Sequence, residues 1–139
     1  EANTRLPNNP LVYFNLAQAH FKAGDYERAL ASAERTNQLD VTNLDNYLLL
    51  GQIYAETDRN DDAIKALQTY IKYRSDDVPA SVLFGRLLFD IGEYEQTIQM
   101  MDRVTALERS RREPYLYRFL SNVELGNGAG GYGQKEDEN

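Results

Sequence analysis

One spacing constrains this chain more than any other: Gly24, Asp58, Gly92 and Gly126 follow one another at a constant step of 34 residues. Tyr13, Tyr47, Ser81 and Tyr115 keep that step, as do Leu16, Leu50 and Phe84, and Ala17, Gly51 and Gly85. Ala29, Ala63 and Thr97 continue it, with Leu30, Ile64 and Ile98 beside them. A fixed period of this length marks a repeat architecture. Each copy is then one supersecondary unit that buries its apolar face against its neighbours.

Within a copy, apolar residues recur every three or four positions. Tyr47, Leu50, Ile53 and Tyr54 form one such stripe, and Ile64, Leu67, Tyr70 and Ile71 the next. That recurrence places them on one face of an α-helix. Between the stripes stand Gly24-Asp25, Asp58-Arg59-Asn60 and Gly92-Glu93. Gly takes the left-handed conformation that ends a helix, and Asp or Asn takes it less often. The expected unit is helix, tight turn, helix. The pairs are predicted at 10–23 with 27–40, 44–57 with 61–74, and 78–91 with 95–109. An unpaired helix follows at 112–125. Asn9, Asn43 and Asp77 are placed to cap helix starts. Pro10, Pro79 and Pro114 fall in first turns, where a missing N–H costs little. Ala17, Gly51 and Gly85 sit mid-way along the first helix of each pair, and Ala29 and Ala63 near the start of the second. Lack of bulk there lets two helix backbones approach closely.

These residues resemble the tetratricopeptide repeat, whose signature is an aromatic, Leu-Gly and Tyr on the first helix, with Ala and an aromatic on the second. Tyr47-x-x-Leu50-Gly51-x-x-Tyr54, followed by Ala63 and Leu67, carries the likeness best. The first copy runs Tyr13-x-x-Leu16-Ala17-x-x-His20 and the third Ser81-x-x-Phe84-Gly85-x-x-Leu88. The resemblance covers residues 10–125: three full repeats (10–43, 44–77, 78–111) and a terminal helix (112–125). It implies an all-α fold of about seven helices, a right-handed superhelical solenoid of stacked antiparallel hairpins. Arg118 and Phe119 replace the Leu-Gly pair in the last copy. That helix is expected to cap the array, with Arg118, Asn122 and Glu124 as its polar face. Residues 1–9 read as a linker, and Leu6-Pro7-Asn8-Asn9 resembles the end of a preceding repeat. With no initiating Met, the chain is expected to belong to a longer array or a larger protein. Residues 126–139 read as a flexible Gly-rich, acidic tail.

Solenoids bind along the curve lined by their first helices. By analogy with the family, Leu11, Phe14, Asn15, Gln18, Phe21 and Lys22 face that groove in the first copy. Asp45, Leu48, Leu49, Gln52 and Glu56 do so in the second, and Val82, Leu83, Arg86, Phe89 and Asp90 in the third. Leu116, Tyr117 and Leu120 continue it. The groove reads as apolar, because Phe14, Phe21, Leu48, Leu49, Val82, Leu83 and Phe89 are surplus to the periodic core. An apolar patch marks a contact surface. The expected partner is a protein or peptide, with an amphipathic helix as one form. The alternative is that Leu116, Tyr117, Leu120 or a missing neighbouring repeat covers it. Glu at both Leu49 and Leu83 is expected to abolish binding without unfolding. Some family members clamp chaperone C-terminal carboxylates with Lys, Asn and Arg. The matching places here hold Phe14, Gln18, Leu49, Pro79 and Leu83, and no cation.

The remaining chemistry is sparse. There is no Cys and one His, and the net charge is −7. Thiolate catalysis and zinc–thiolate sites are thereby excluded. An acidic chain repels the phosphates of nucleic acid on average, and Arg109, Arg111 and Arg112 lie among Glu108 and Glu113. No apolar run approaches the ~20 residues that span a bilayer. His20 fills an aromatic slot of the repeat. Asp58-Arg59-Asn60-Asp61-Asp62 opens like a calcium loop, but Ala63 and Thr69 stand where Gly and Glu are needed. Gly126-Asn127-Gly128-Ala129-Gly130-Gly131 follows a helix rather than a strand, so it is not read as a dinucleotide site. No catalytic residue, metal or cofactor is expected. The chain reads as an interaction scaffold and not an enzyme. The alternatives are a self-assembly unit, or an accessory domain of a larger enzyme or secretion or assembly protein. The compartment is left open, with the cytoplasm slightly favoured.

Overall fold

The computed structural model describes residues 8–126. The expected linker up to residue 7 and the expected tail from residue 127 lie outside the described residues. Seven helices and no strand are present among the described residues: α1 (Pro10–Lys22), α2 (Tyr26–Leu39), α3 (Leu44–Glu56), α4 (Asn60–Tyr73), α5 (Val78–Asp90), α6 (Tyr94–Leu107) and α7 (Glu113–Glu124). The largest departure from the predicted bounds is at α6, expected to reach 109 and ending at Leu107. The described chain divides into two compact units, parted between Tyr73 and Arg74.

In the first unit α1 pairs with α2 and α3 with α4, and α3 also packs on α2 and α1. Ala17, Ala29, Ala33, Leu49, Leu50, Ile53 and Ala66 form one buried cluster, with Phe14, Phe21, Tyr26, Leu30 and Tyr54 packed against it. Asn46 ties the two hairpins together: its side-chain amide donates to the Ala33 carbonyl at 2.9 Å. In the second unit α5 pairs with α6, and α7 packs on α6 and α5.

The helix starts follow their capping residues. Asn9, Asn43 and Asp77 accept from the backbone N–H of Leu11, Asn46 and Ala80 at 3.0, 3.1 and 3.1 Å. The turns repeat with the sequence. The N–H groups of Asp25, Arg59 and Glu93 donate to the carbonyls of His20, Tyr54 and Leu88 at 2.9, 2.8 and 2.9 Å. Such a bond spanning a left-handed residue closes a Schellman-type helix end. Gly24 and Gly92 hold φ of 79° and 85°, and Asp58, the one non-glycine at positive φ among the described residues, holds 59°. The calcium-like run is thus the turn after α3 and the start of α4, with Arg59 paired to Asp62 at 2.8 Å.

One crossing point sets the closeness of each hairpin. A Cβ on Gly51 would lie 2.6 Å from Leu67 Cγ, and one on Gly85 would lie 2.5 Å from Met101 Cε. In the first hairpin the same two registers hold Ala17 and Ala33, both fully buried. Glycine therefore faces a large residue and alanine faces alanine. The two registers share a fixed space between the helix axes, as interiors packed near crystal density require.

Candidate partner-binding surface

The side of each first helix away from its own hairpin is the candidate surface. Its positions are set by the register that buries Ala17, Gly51 and Gly85. Gln18, Gln52 and Arg86 occupy the next register and stay wholly or partly exposed. Lys22, Glu56 and Asp90, one turn further on, are exposed, as are Asn15 and Asp45. In the first unit this side also presents half-buried Leu48. In the second it presents half-buried Leu83 beside Arg86 and Asp90.

The structure corrects the expectation of a broadly apolar groove. Leu49 and Val82 are each only 5% exposed. Leu49 belongs to the core cluster of the first unit, and Phe14 and Phe21 pack against that cluster rather than waiting for a partner. Phe21 also meets the Tyr26 ring at a centroid distance of 5.7 Å. Phe89 is held between two tyrosines, Tyr94 and Tyr117, each at 5.4 Å. Residues read as surplus to the core are thus part of it, because the inner register of a stacked helix is wider than the three or four signature positions. Replacing Leu49 by Glu would bury a charge and unfold the unit. Apart from Leu11, which is 62% exposed on α1, the surface that remains on α1, α3 and α5 is largely one of amides and charges.

Electrostatics on the second unit agree with this mixed character. Burial pushes the Tyr117 phenol up, the nearby Arg86 guanidinium opposes that shift, and the Asp90 and Glu113 carboxylates reinforce it. Tyr54 in the first unit is raised by burial first, then by the charge of Glu34, and Arg59 above its ring opposes the shift. His20 is half-buried in the last turn of α1. Among the described residues no group of three or more His, Cys, Asp or Glu is placed to hold a metal ion. No described helix is long and apolar enough to cross a membrane.

The terminal helix departs further from expectation. Arg118 is turned onto α6, where it pairs with Asp102 at 2.9 Å and lies over the Tyr115 ring at 5.2 Å. Asn122 donates to the Arg118 carbonyl at 3.0 Å. The face of α7 that looks outward is not polar: Leu116, Phe119 and Val123 are 54%, 57% and 40% exposed. The signal was present in the sequence, since Phe119 falls on the register of Ala17, Gly51 and Gly85.

Two family models match the chain. One, described as the anaphase-promoting complex, cyclosome, subunit 3, matches residues 2–70. The other, described as the tetratricopeptide repeat, matches residues 48–108. The chain belongs to the tetratricopeptide repeat family. Three full repeats and a terminal helix make up its described part. No curated protein matches this tetratricopeptide chain in sequence. Its solved structural neighbours are of the same fold. A MamA protein superposes with a TM-score of 0.79 at 22% identity, covering 85% of this chain and 64% of that one. YrrB, described as a tetratricopeptide protein with an unusual peptide-binding site, gives 0.83 at 16% identity, covering 88% and 63%. The tetratricopeptide domain of Arabidopsis OM64 gives 0.73 at 13% identity, covering 82% and 94%. The chain thus spans a little under two thirds of the MamA and YrrB chains.

Proposed function

We propose that this tetratricopeptide chain is a protein–protein interaction scaffold that holds a peptide segment of a partner on its first helices. The observation that carries the reading is the open register of Gln18, Gln52 and Arg86. Hairpin closure uses the neighbouring register and leaves this one facing outward in every repeat. Glutamine offers both a donor and an acceptor, which suits the main chain of a bound peptide. In the second unit, Arg86 by itself offers a charged fork suited to a carboxylate. Leu48 in the first unit and Leu83 in the second supply the half-buried apolar contacts that anchor a side chain. An amphipathic helix and an extended strand both fit such chemistry. The family membership and the peptide-binding description of YrrB support the class of function.

The test needs no known partner. Random peptides are selected against the full chain, and their contacts are mapped by amide chemical-shift changes. Enriched peptides are expected to perturb α1 and α3, or α5, around Gln18, Gln52, Leu48, Leu83 and Arg86. Binding should weaken about tenfold with Gln52→Glu or Leu48→Glu, a loss of about 1.4 kcal/mol. Perturbations confined to α2, α4 and α6, or binding indifferent to these changes, would contradict the reading.

A further inference from the structure

We propose that the outward face of α7 is a docking site for an amphipathic helix from a partner, one with Ala or Gly at its centre and a carboxylate two turns further on. This does not rest on the first-helix surface and uses a different side of the fold.

The repeat register defines what the face is built for. Positions 17, 51 and 85 look at the second helix of their own hairpin, where they meet the register of Ala33, Leu67 and Met101. Phe119 is the next position in that series. No described helix pairs with α7 as α2, α4 and α6 pair with their first helices. By sequence, the residues at the period-matched place begin Gly128-Ala129-Gly130-Gly131 and include one large apolar residue, Tyr132. That sequence carries no apolar stripe at helical spacing.

Size then selects the occupant. In three hairpins the space at the crossing point is shared: Gly with Leu, Gly with Met, Ala with Ala. On α7 the large residue stands on the first helix, so the occupant must be small there. Leu116 and Val123 flank Phe119 on the same stripe, at helical spacing. Charge selects further. Arg112 heads the stripe one turn before Leu116, is exposed, and has no ion-pair partner among the described residues. Arg111 and Arg118, by contrast, are both paired. A helix running antiparallel, as in the hairpins, places opposite Arg112 a residue seven positions after the one opposite Phe119.

The chain itself contains a helix of each kind, which gives the probes. α2 carries Ala33 with Asp40 seven residues on; α4 carries Leu67 with Arg74 seven residues on. Stapled, end-blocked, labelled peptides of residues 26–40 and 60–74 would be titrated against the full chain by fluorescence anisotropy. The 26–40 peptide is expected to bind about tenfold or more tightly than 60–74. Phe119→Gly should shift the ratio toward 60–74 by about tenfold, and Arg112→Glu should weaken 26–40 by about tenfold. Phe119 is exposed, so these variants keep the fold. Equal affinities, no binding of either peptide, or a preference unmoved by Phe119→Gly would overturn the proposal. So would a chain that sediments as a dimer alone and as a monomer with Phe119→Glu, since a second copy would then cover the face.

Discussion

At position 58 an aspartate holds the left-handed backbone that glycine holds at 24 and 92. Nothing lies within 4 Å of a Cβ built on Gly24, so the cost of a side chain there is backbone strain alone. Gly24→Ala should lower stability by about 1–2 kcal/mol. Asp58→Gly should raise it by about 0.5 kcal/mol, the relief of strain less the entropy glycine loses on folding. Urea denaturation of the two variants checks both signs. The buried glycines behave differently. Gly51→Ala drives a Cβ into Leu67 near its branch point, whereas Gly85→Ala meets the flexible end of Met101. Both substitutions overpack, at about 1–3 kcal/mol, and the Gly51 variant should be the worse of the two. Tyr54 and Tyr117 titrate above the ordinary phenol range because burial disfavours the phenolate. A group with a raised folded pKa contributes stability that is present below its unfolded pKa, about 10 for Tyr, and lost as pH rises through the folded value. Stability should therefore fall above about pH 10, and Tyr54→Phe with Tyr117→Phe should flatten that fall in an alkaline denaturation series.

At the scale of the helix, ends are set by single side chains. Asn9→Ala, Asn43→Ala and Asp77→Ala should each cost about 1 kcal/mol, since each frees a first-turn N–H that the side chain now satisfies. Glu93 stands at the start of α6 without a side-chain cap. Glu93→Asp should recover part of that amount, and thermal melts of the four variants would show opposite shifts. These ends were legible in the sequence because caps and turn residues act locally. The roles of Phe14, Phe21, Leu49 and Val82 were not. Whether an apolar residue beside the signature register is buried depends on the neighbouring hairpin, which a single helix pattern does not contain. The polar face expected of α7 failed for a related reason. Arg118 bonds across to Asp102 on α6, and this leaves Leu116, Phe119 and Val123 on the outside.

For the molecule as a whole, the repeat step carries the account. Turn, cap and crossing-point residues recur at the same step, and the helices follow them. The step also separates what closes a hairpin from what stays open, and so locates both the Gln18, Gln52 and Arg86 register and the face of α7. The identity of the partner is not written in the step, because outward positions are free of the packing constraint that makes inward ones periodic. The central claim is that each hairpin closes on one shared volume, divided between a first-helix and a second-helix residue. A double-mutant cycle of Gly51→Ala and Leu67→Ala measures it directly, as the pair recreates the Ala–Ala crossing of the first hairpin. Each change alone should destabilise, Leu67→Ala by about 2–5 kcal/mol, and the double variant should be more stable than their sum by at least about 1 kcal/mol. Additivity within about 0.5 kcal/mol would contradict the shared-volume account.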